Sequence, residues 1–146
     1  MTERFTVIPA VHLFLIKNNE ILLLRRFNTG FEDGNYSVPA GHLDGLETAT
    51  AAMIREAAEE INIHIEPKDL TMVHVMHRIT PQGERVDFFF ACTQWKDEIK
   101  INEPDKCDDL GWYKAAILPS NMVPYVKSAI EHFLNHESFS EHGWNS

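Results

Sequence analysis

A single strong helix set among strands limits the architectures open to this chain. Glu47 to Ile61 is rich in alanine, contains neither glycine nor proline, and reads as a helix. Ile54, Ala57, Ala58 and Ile61 fall at i, i+3, i+4 and i+7, which predicts one buried stripe. Asn62 tolerates the left-handed conformation that ends many helices, and Pro67 prevents continuation.

On either side the pattern is that of strands. Thr6 to Lys17 is β-branched and apolar, Asn18-Asn19 is a tight-turn signal, and Glu20 to Arg26 returns as the hairpin partner. Phe27 to Asn35 is a loop, Tyr36 to Val38 a short strand, and Ala40 to Leu46 a second loop. Leu70 to Thr80 and Arg85 to Trp95 form a hairpin across Pro81 to Glu84. An irregular acidic stretch, 99–109, precedes a short strand, Leu110 to Tyr113, and a second helix, Tyr125 to Asn135. Residues 137–146 read as a frayed tail. Strands paired as hairpins around two helices predict an α/β fold, a mixed sheet packed by helices on its faces. At 146 residues the chain is expected to be one domain, 1–146.

Charge narrows the partners. Twenty-two acidic side chains against 13 basic give a net charge of −9, which argues against a passive surface for long nucleic acid. A phosphate-bearing substrate would need something positive between it and the acids, most simply a divalent metal. No run approaches the ~20 apolar residues of a membrane span, and MTERFTVIPA lacks the pattern of a secretory signal. Two cysteines make no disulfide framework, so a reducing, cytoplasmic setting is the expectation.

The helix also carries chemistry. Glu56, Glu59 and Glu60 lie at i, i+3 and i+4, within roughly a 100° arc, nearly opposite the predicted stripe. Like charges at this spacing cost ~0.2–0.5 kcal/mol per pair, and the dipole at a helix C-terminus disfavours anions by a further ~0.3–1 kcal/mol each. A hard cation such as Mg2+ would reverse both penalties, since oxygen ligands are what it prefers. A solvated acidic face is the plainer explanation of the cluster taken alone.

The surroundings favour the cation. Gly41, Glu47, Arg55, Glu56, Glu59, Glu60 and Ile63 are spaced so that residues 41–63 resemble the Nudix box, G-x5-E-x7-R-E-U-x-E-E-x-G-U with U aliphatic. Two positions depart: Asn62 stands where glycine is usual, and the small Ala57 stands at an aliphatic position. Val38-Pro39-Ala40-Gly41-His42 looks like the family's approach to the box. The tract Asn102 to Cys107, followed by Trp112, is similar to a stretch in MutT-like nucleoside triphosphate diphosphatases. With the layout of strands and helices, the resemblance covers roughly residues 7–136.

The resemblance implies an α/β/α sandwich and hydrolysis of a nucleoside diphosphate linked to another group. It implies Mg2+, with Mn2+ as the alternative, held by Glu59, Glu60, Glu56 and the carbonyl of Gly41. Arg55 would hold a carboxylate in place and Glu47 would fasten the loop to the helix; a surface ion pair of little worth is the plainer reading of these two. Glu103 is the leading general base, with Glu56 as its rival. Arg25 or Arg26 could reach phosphates, one of them at most because neighbours on a strand face opposite sides. Phe27, Phe31 and Tyr36 could stack on a base, although aromatics near a hairpin more often join the core. His42, next to the box glycine, is a further substrate contact.

Other features carry less. In Phe88-Phe89-Phe90 the middle ring should face opposite the other two, as in a strand covered on both faces. His74 and His77 should likewise lie on opposite faces. His132 and His136, at i and i+4, lack further metal ligands, and Cys92 reads as a small hydrophobe. A nucleoside triphosphate cleaved to monophosphate and pyrophosphate is the leading substrate class. ADP-ribose, nucleotide sugars and dinucleoside polyphosphates are the alternatives. Pro81 lies eighteen residues past Ile63; some ADP-ribose hydrolases have a proline sixteen past the box. A non-catalytic nucleotide sensor is less favoured, because every box carboxylate is present. Homodimerisation is a family habit, but the chain carries no self-association signature.

Overall fold

Asn18 and Asn19, both at positive φ (54° and 65°), close the first hairpin between β1 (Ile8–Lys17) and β2 (Glu20–Arg26). The computed structural model describes residues 3–144. β1 and β2 pair only beside their turn, at Ile16–Ile21 and Lys17–Glu20. Beyond it they part. β1 pairs with β4 (Ala40–His42) and, in parallel, with β6 (Gly83–Cys92). β2 pairs with β3 (Tyr36–Ser37) and β7 (Cys107–Lys114). β5 (Thr71–Thr80) joins β6 antiparallel across the turn at Pro81-Gln82, and β8 (Phe139–His142) joins β5 in parallel. The result is the expected mixed sheet, and the divergence of β1 from β2 opens a gap at its centre.

Alternation covers both faces. Val11, Leu13 and Leu15 of β1, Leu22 and Leu24 of β2 and Phe90 of β6 pack against α1 (Ala49–Ile61). Phe14, Ile21, Leu23 and Phe89 pack on the other side against Val126, Ala129 and Ile130 of α2 (Pro124–Leu134). Phe89 therefore faces opposite Phe90, and the layers form an α/β/α sandwich. Burying these side chains contributes ~1.5–3 kcal/mol each, enough to hold the central strands rigidly behind the gap.

Several expectations need correction. The first helix starts two residues late, at Ala49, because the Thr48 side chain accepts a hydrogen bond from the Ala51 N–H and caps it. Its buried residues are Ala52, Met53, Ala57 and Ile61, while Ala58 is exposed and Ile54 half-buried. The helix is rotated so that Glu60 turns toward the sheet and accepts from the Ala40 N–H at 3.2 Å. Asn62 does take the left-handed cap, at φ 69°, its N–H bonded to the Ala58 carbonyl. Ala40–His42 is a strand and not loop, because β1 has an open edge there once β2 has left it.

The predicted short strand 110–113 extends to Cys107–Lys114, following β2 along its length with a bulge at Arg25/Arg26. The tail is ordered through Phe139–His142. Buried His74 on β5 bonds the Glu137 carbonyl (2.8 Å) and the Ser140 hydroxyl (2.7 Å), and Trp144 Nε1 donates to the His77 carbonyl. Residues 145–146 of that tail, and residues 1–2 of the N-terminal segment, lie outside the described residues. No helix among the described residues is long and apolar enough to cross a membrane.

Candidate active site

The gap between the diverging strands opens into a cleft of about 1020 Å3. Gly41, His42, Glu56, Glu59, Glu60 and Glu103 line one end. At Gly41 the absence of a side chain leaves room for the Glu56 carboxylate. A Cβ at this position would overlap the carboxyl carbon and both oxygens of Glu56. The Glu56 carboxylate thus rests against the backbone of β4.

Arg55 organises the loop. Its Nη2 and Nε donate to the two carboxylate oxygens of Glu47 at 2.7 and 3.2 Å, and Nη2 also reaches the His42 carbonyl at 3.3 Å. Nη1 donates to Glu56 at 2.8 Å and to Glu59 at 3.5 Å. Glu47 accepts in turn from the Asp44 N–H. The Arg55 guanidinium and that N–H hold the Glu47 carboxyl below its usual range. The pair ties the loop of residues 43–48 to the second turn of α1.

The other acids are pushed the opposite way. Burial raises the Glu56 carboxyl, partly offset by Arg55, with Glu59 and Glu103 adding like-charge repulsion. Glu60 is raised well above its ordinary range by burial, then by Glu56 and Glu103; the Ala40 N–H and Arg26 oppose this only in part. Among the described residues, no three His, Cys, Asp or Glu side chains stand ready as a preformed metal cage. Arg55 instead bridges Glu56 and Glu59.

Glu103 comes to the site through a contact the sequence did not signal. The loop carrying it bonds the end of α1: the N–H groups of Lys100 and Asn102 donate to the carbonyls of Ile61 and Glu60, and the Asn102 side chain to that of Ala58. The Ile61 and Glu60 carbonyls are ones that a helix end leaves without partners, while that of Ala58 also accepts from the Asn62 N–H. Glu103 lies beside Lys106 at 3.9 Å.

The predicted substrate contacts divide. Arg26 lines the cleft, donating to the Phe31 carbonyl (2.7 Å) and Thr29 hydroxyl (3.1 Å), with its guanidinium 5.2 Å from the Phe31 ring centre. Arg25 also borders it, but its Nε is engaged by Asp108 at 2.7 Å. Phe27 is not part of the lining; its backbone N–H pairs with the Lys106 carbonyl and the ring is left about half exposed. Tyr36 is buried, bonded to Asp109 and packed on Tyr113.

The far end of the cleft holds a group that sequence reasoning missed. Asp87, wholly buried on β6, accepts from Arg78 Nε (2.8 Å) and Nη2 (3.2 Å). The Arg78 guanidinium lies 3.6 Å from the Tyr125 ring centre. Tyr125 Oη is 3.0 Å from His12 Nε2. Burial depresses His12 to about 4, with Asp87 opposing, so the ring is neutral. An acid inside the apolar run Val86 to Phe90 was the available signal.

The sequence pattern of the NUDIX domain matches residues 6–133. The chain belongs to the Nudix family. It is 30% identical over 97 residues to the ADP-ribose pyrophosphatase of Methanocaldococcus jannaschii, covering 66% of this chain but only 57% of that protein. It is 29% identical over 83 residues to the 8-oxo-dGTP diphosphatase of Proteus vulgaris, covering 57% and 72%. The crystal structure of the MutT Nudix hydrolase from Burkholderia pseudomallei superposes with a TM-score of 0.80 at 26% identity, over 87% of this chain and 98% of that one. Nudix enzymes act on small nucleotide substrates and generally use a divalent metal. The donor set fits such an ion. The expected ligands, the carboxylates of Glu56, Glu59 and Glu60 and the Gly41 carbonyl, would supply only hard oxygens, and buried Glu60 carries repulsion that the neighbouring cations do not cancel.

Proposed function

We propose that this chain is a Mg2+-dependent pyrophosphohydrolase, with Mn2+ able to substitute, that cleaves a nucleoside triphosphate to monophosphate and pyrophosphate. The supporting observation is the excess of buried acid at one end of the cleft: Glu56 fitted against Gly41, and Glu60 pressed between Glu56 and Glu103. Glu56, Glu59, Glu60 and the Gly41 carbonyl would hold the ion, which would supply charge to neutralise nonbridging phosphate oxygens and lower the cost of deprotonating water.

The chain's own residues do the rest. Arg55 fixes the carboxylates of Glu56 and Glu59 while Glu47 fixes Arg55. Arg26 offers its guanidinium to the phosphates from the cleft wall, and His42 lies beside them. Glu103, free of Arg55, takes the proton of the attacking water. The match to an ADP-ribose pyrophosphatase favours a second reading, in which the leaving group is a sugar phosphate.

The test is release of pyrophosphate from triphosphates, or of sugar phosphate from ADP-ribose, with Mg2+ and with chelator. Glu59→Gln should lose at least ~100-fold in kcat. Turnover that survives chelation, or a Glu59→Gln enzyme as fast as wild type, contradicts the proposal.

A further inference from the structure

We infer that the polar floor at the far end of the cleft selects nucleobases bearing a ring carbonyl and disfavours adenine, which has none. This rests on the reading of the cleft as a nucleotide site.

Residues from four elements build the floor: His12 on β1, Arg78 on β5, Asp87 on β6 and Tyr125 on α2. Asp87 occupies Nε and one terminal nitrogen of Arg78. The other terminal nitrogen is left with its N–H donors. The Arg78 side chain is 11% exposed, and the residue lines the cleft, so this edge is presented to the cavity and not sealed in the core. The donors are also fixed in place: the Tyr125 ring lies against the guanidinium face, and Tyr125 is tied to neutral, buried His12.

An arginine whose charge is already balanced by a buried carboxylate gains little from a second anion. It still needs an acceptor, because a desolvated donor without a partner is costly. A ring carbonyl supplies one. Adenine offers only ring nitrogens as acceptors, and beside N1 and N7 its exocyclic amino group sets a donor against the guanidinium. Tyr125, Val123 and Ile79 give the same end an apolar wall suited to a flat ring.

Position agrees. His12 pairs with Ala40 on one side and with Phe89 on the other, and Asp87 with Met76. Gly41 lies level with Val11, Phe88 and Val75, so Arg78 is three strand spacings away and three residues further along β5, roughly 17 Å at the backbone. That is comparable with the reach from a nucleotide's phosphates through its sugar to its base.

The experiment compares kcat/KM for ATP, GTP, CTP and UTP with Mg2+, alongside calorimetric binding of AMP, GMP, CMP and UMP without metal. The carbonyl-bearing bases should lead adenine by at least ~10-fold. Arg78→Met/Asp87→Leu, which exchanges the pair for apolar side chains, should bring the four bases within about 2- to 3-fold. Arg78→Lys, whose single ammonium is taken by Asp87, should do the same and serves if the double variant does not fold. Adenine accepted as well as the others, or a preference that survives in the folded variants, overturns the inference and leaves the proposed activity standing. If no triphosphate is hydrolysed, the activity proposal fails, and the order of monophosphate binding still decides this one.

Discussion

The two ends of the cleft handle buried charge in opposite ways. At the box end, Glu56 and Glu60 are desolvated next to like charges, and their carboxyls are raised in consequence. At the floor, Asp87 is more deeply buried than either, yet two nitrogens of Arg78 neutralise it. Uncompensated acid is an incomplete site that asks for a cation from outside. A compensated pair is complete, and what it offers a ligand is donor geometry.

That contrast is easiest to break at the floor. Arg78→Met alone leaves the Asp87 carboxylate buried without its partner, and should cost ~3–5 kcal/mol of unfolding free energy in urea. Adding Asp87→Leu should restore much of it. A single variant as stable as wild type would mean that the pair is not the closed unit described here.

His12 gives the next largest effect. It is neutral in the fold, with its pKa lowered to about 4 from an ordinary 6.5. The unfolded chain therefore takes up the proton first as pH falls. The stability this ring contributes is full above pH 6.5 and is lost on descending toward pH 4, by roughly 3 kcal/mol. Urea unfolding of wild type and His12→Gln across that window should show the difference between them drifting toward the variant at acid pH. Parallel curves would contradict the assignment.

A smaller effect is expected at the box end. Gly41→Ala places a methyl where the Glu56 carboxylate lies, and should displace that carboxylate while the sheet stays intact. About a 10- to 100-fold fall in kcat with little change in unfolding free energy is the predicted pattern. Full activity would show that Glu56 need not rest against this backbone.

The difference between the ends also explains what the sequence revealed. The box is contiguous: one helix sets the spacing of Arg55 and the three glutamates, and Gly41 and Glu47 precede it at the offsets of the box pattern, so all were readable. β2 was legible to the residue, since Glu20-Ile21-Leu22-Leu23-Leu24 is bounded by Asn18-Asn19. The floor was not, because its four residues lie on four elements and meet only after β5, β6 and α2 have packed. The rotation of α1 that carried Glu60 toward Ala40 escaped for the same reason: periodicity locates a stripe but tertiary contacts set its angle. β8 was missed because Phe139-Ser140-Glu141-His142 carries weak alternation, and its order comes from His74 across the sheet edge.

The most direct test of the central claim is a titration of the wild-type protein with Mn2+, followed by electron paramagnetic resonance of the free ion. The account predicts at least one bound ion, lost when Glu56, Glu59 and Glu60 are changed together to glutamine and retained in Arg78→Met/Asp87→Leu. Binding that persists in the triple variant, or none in the wild type, would contradict it.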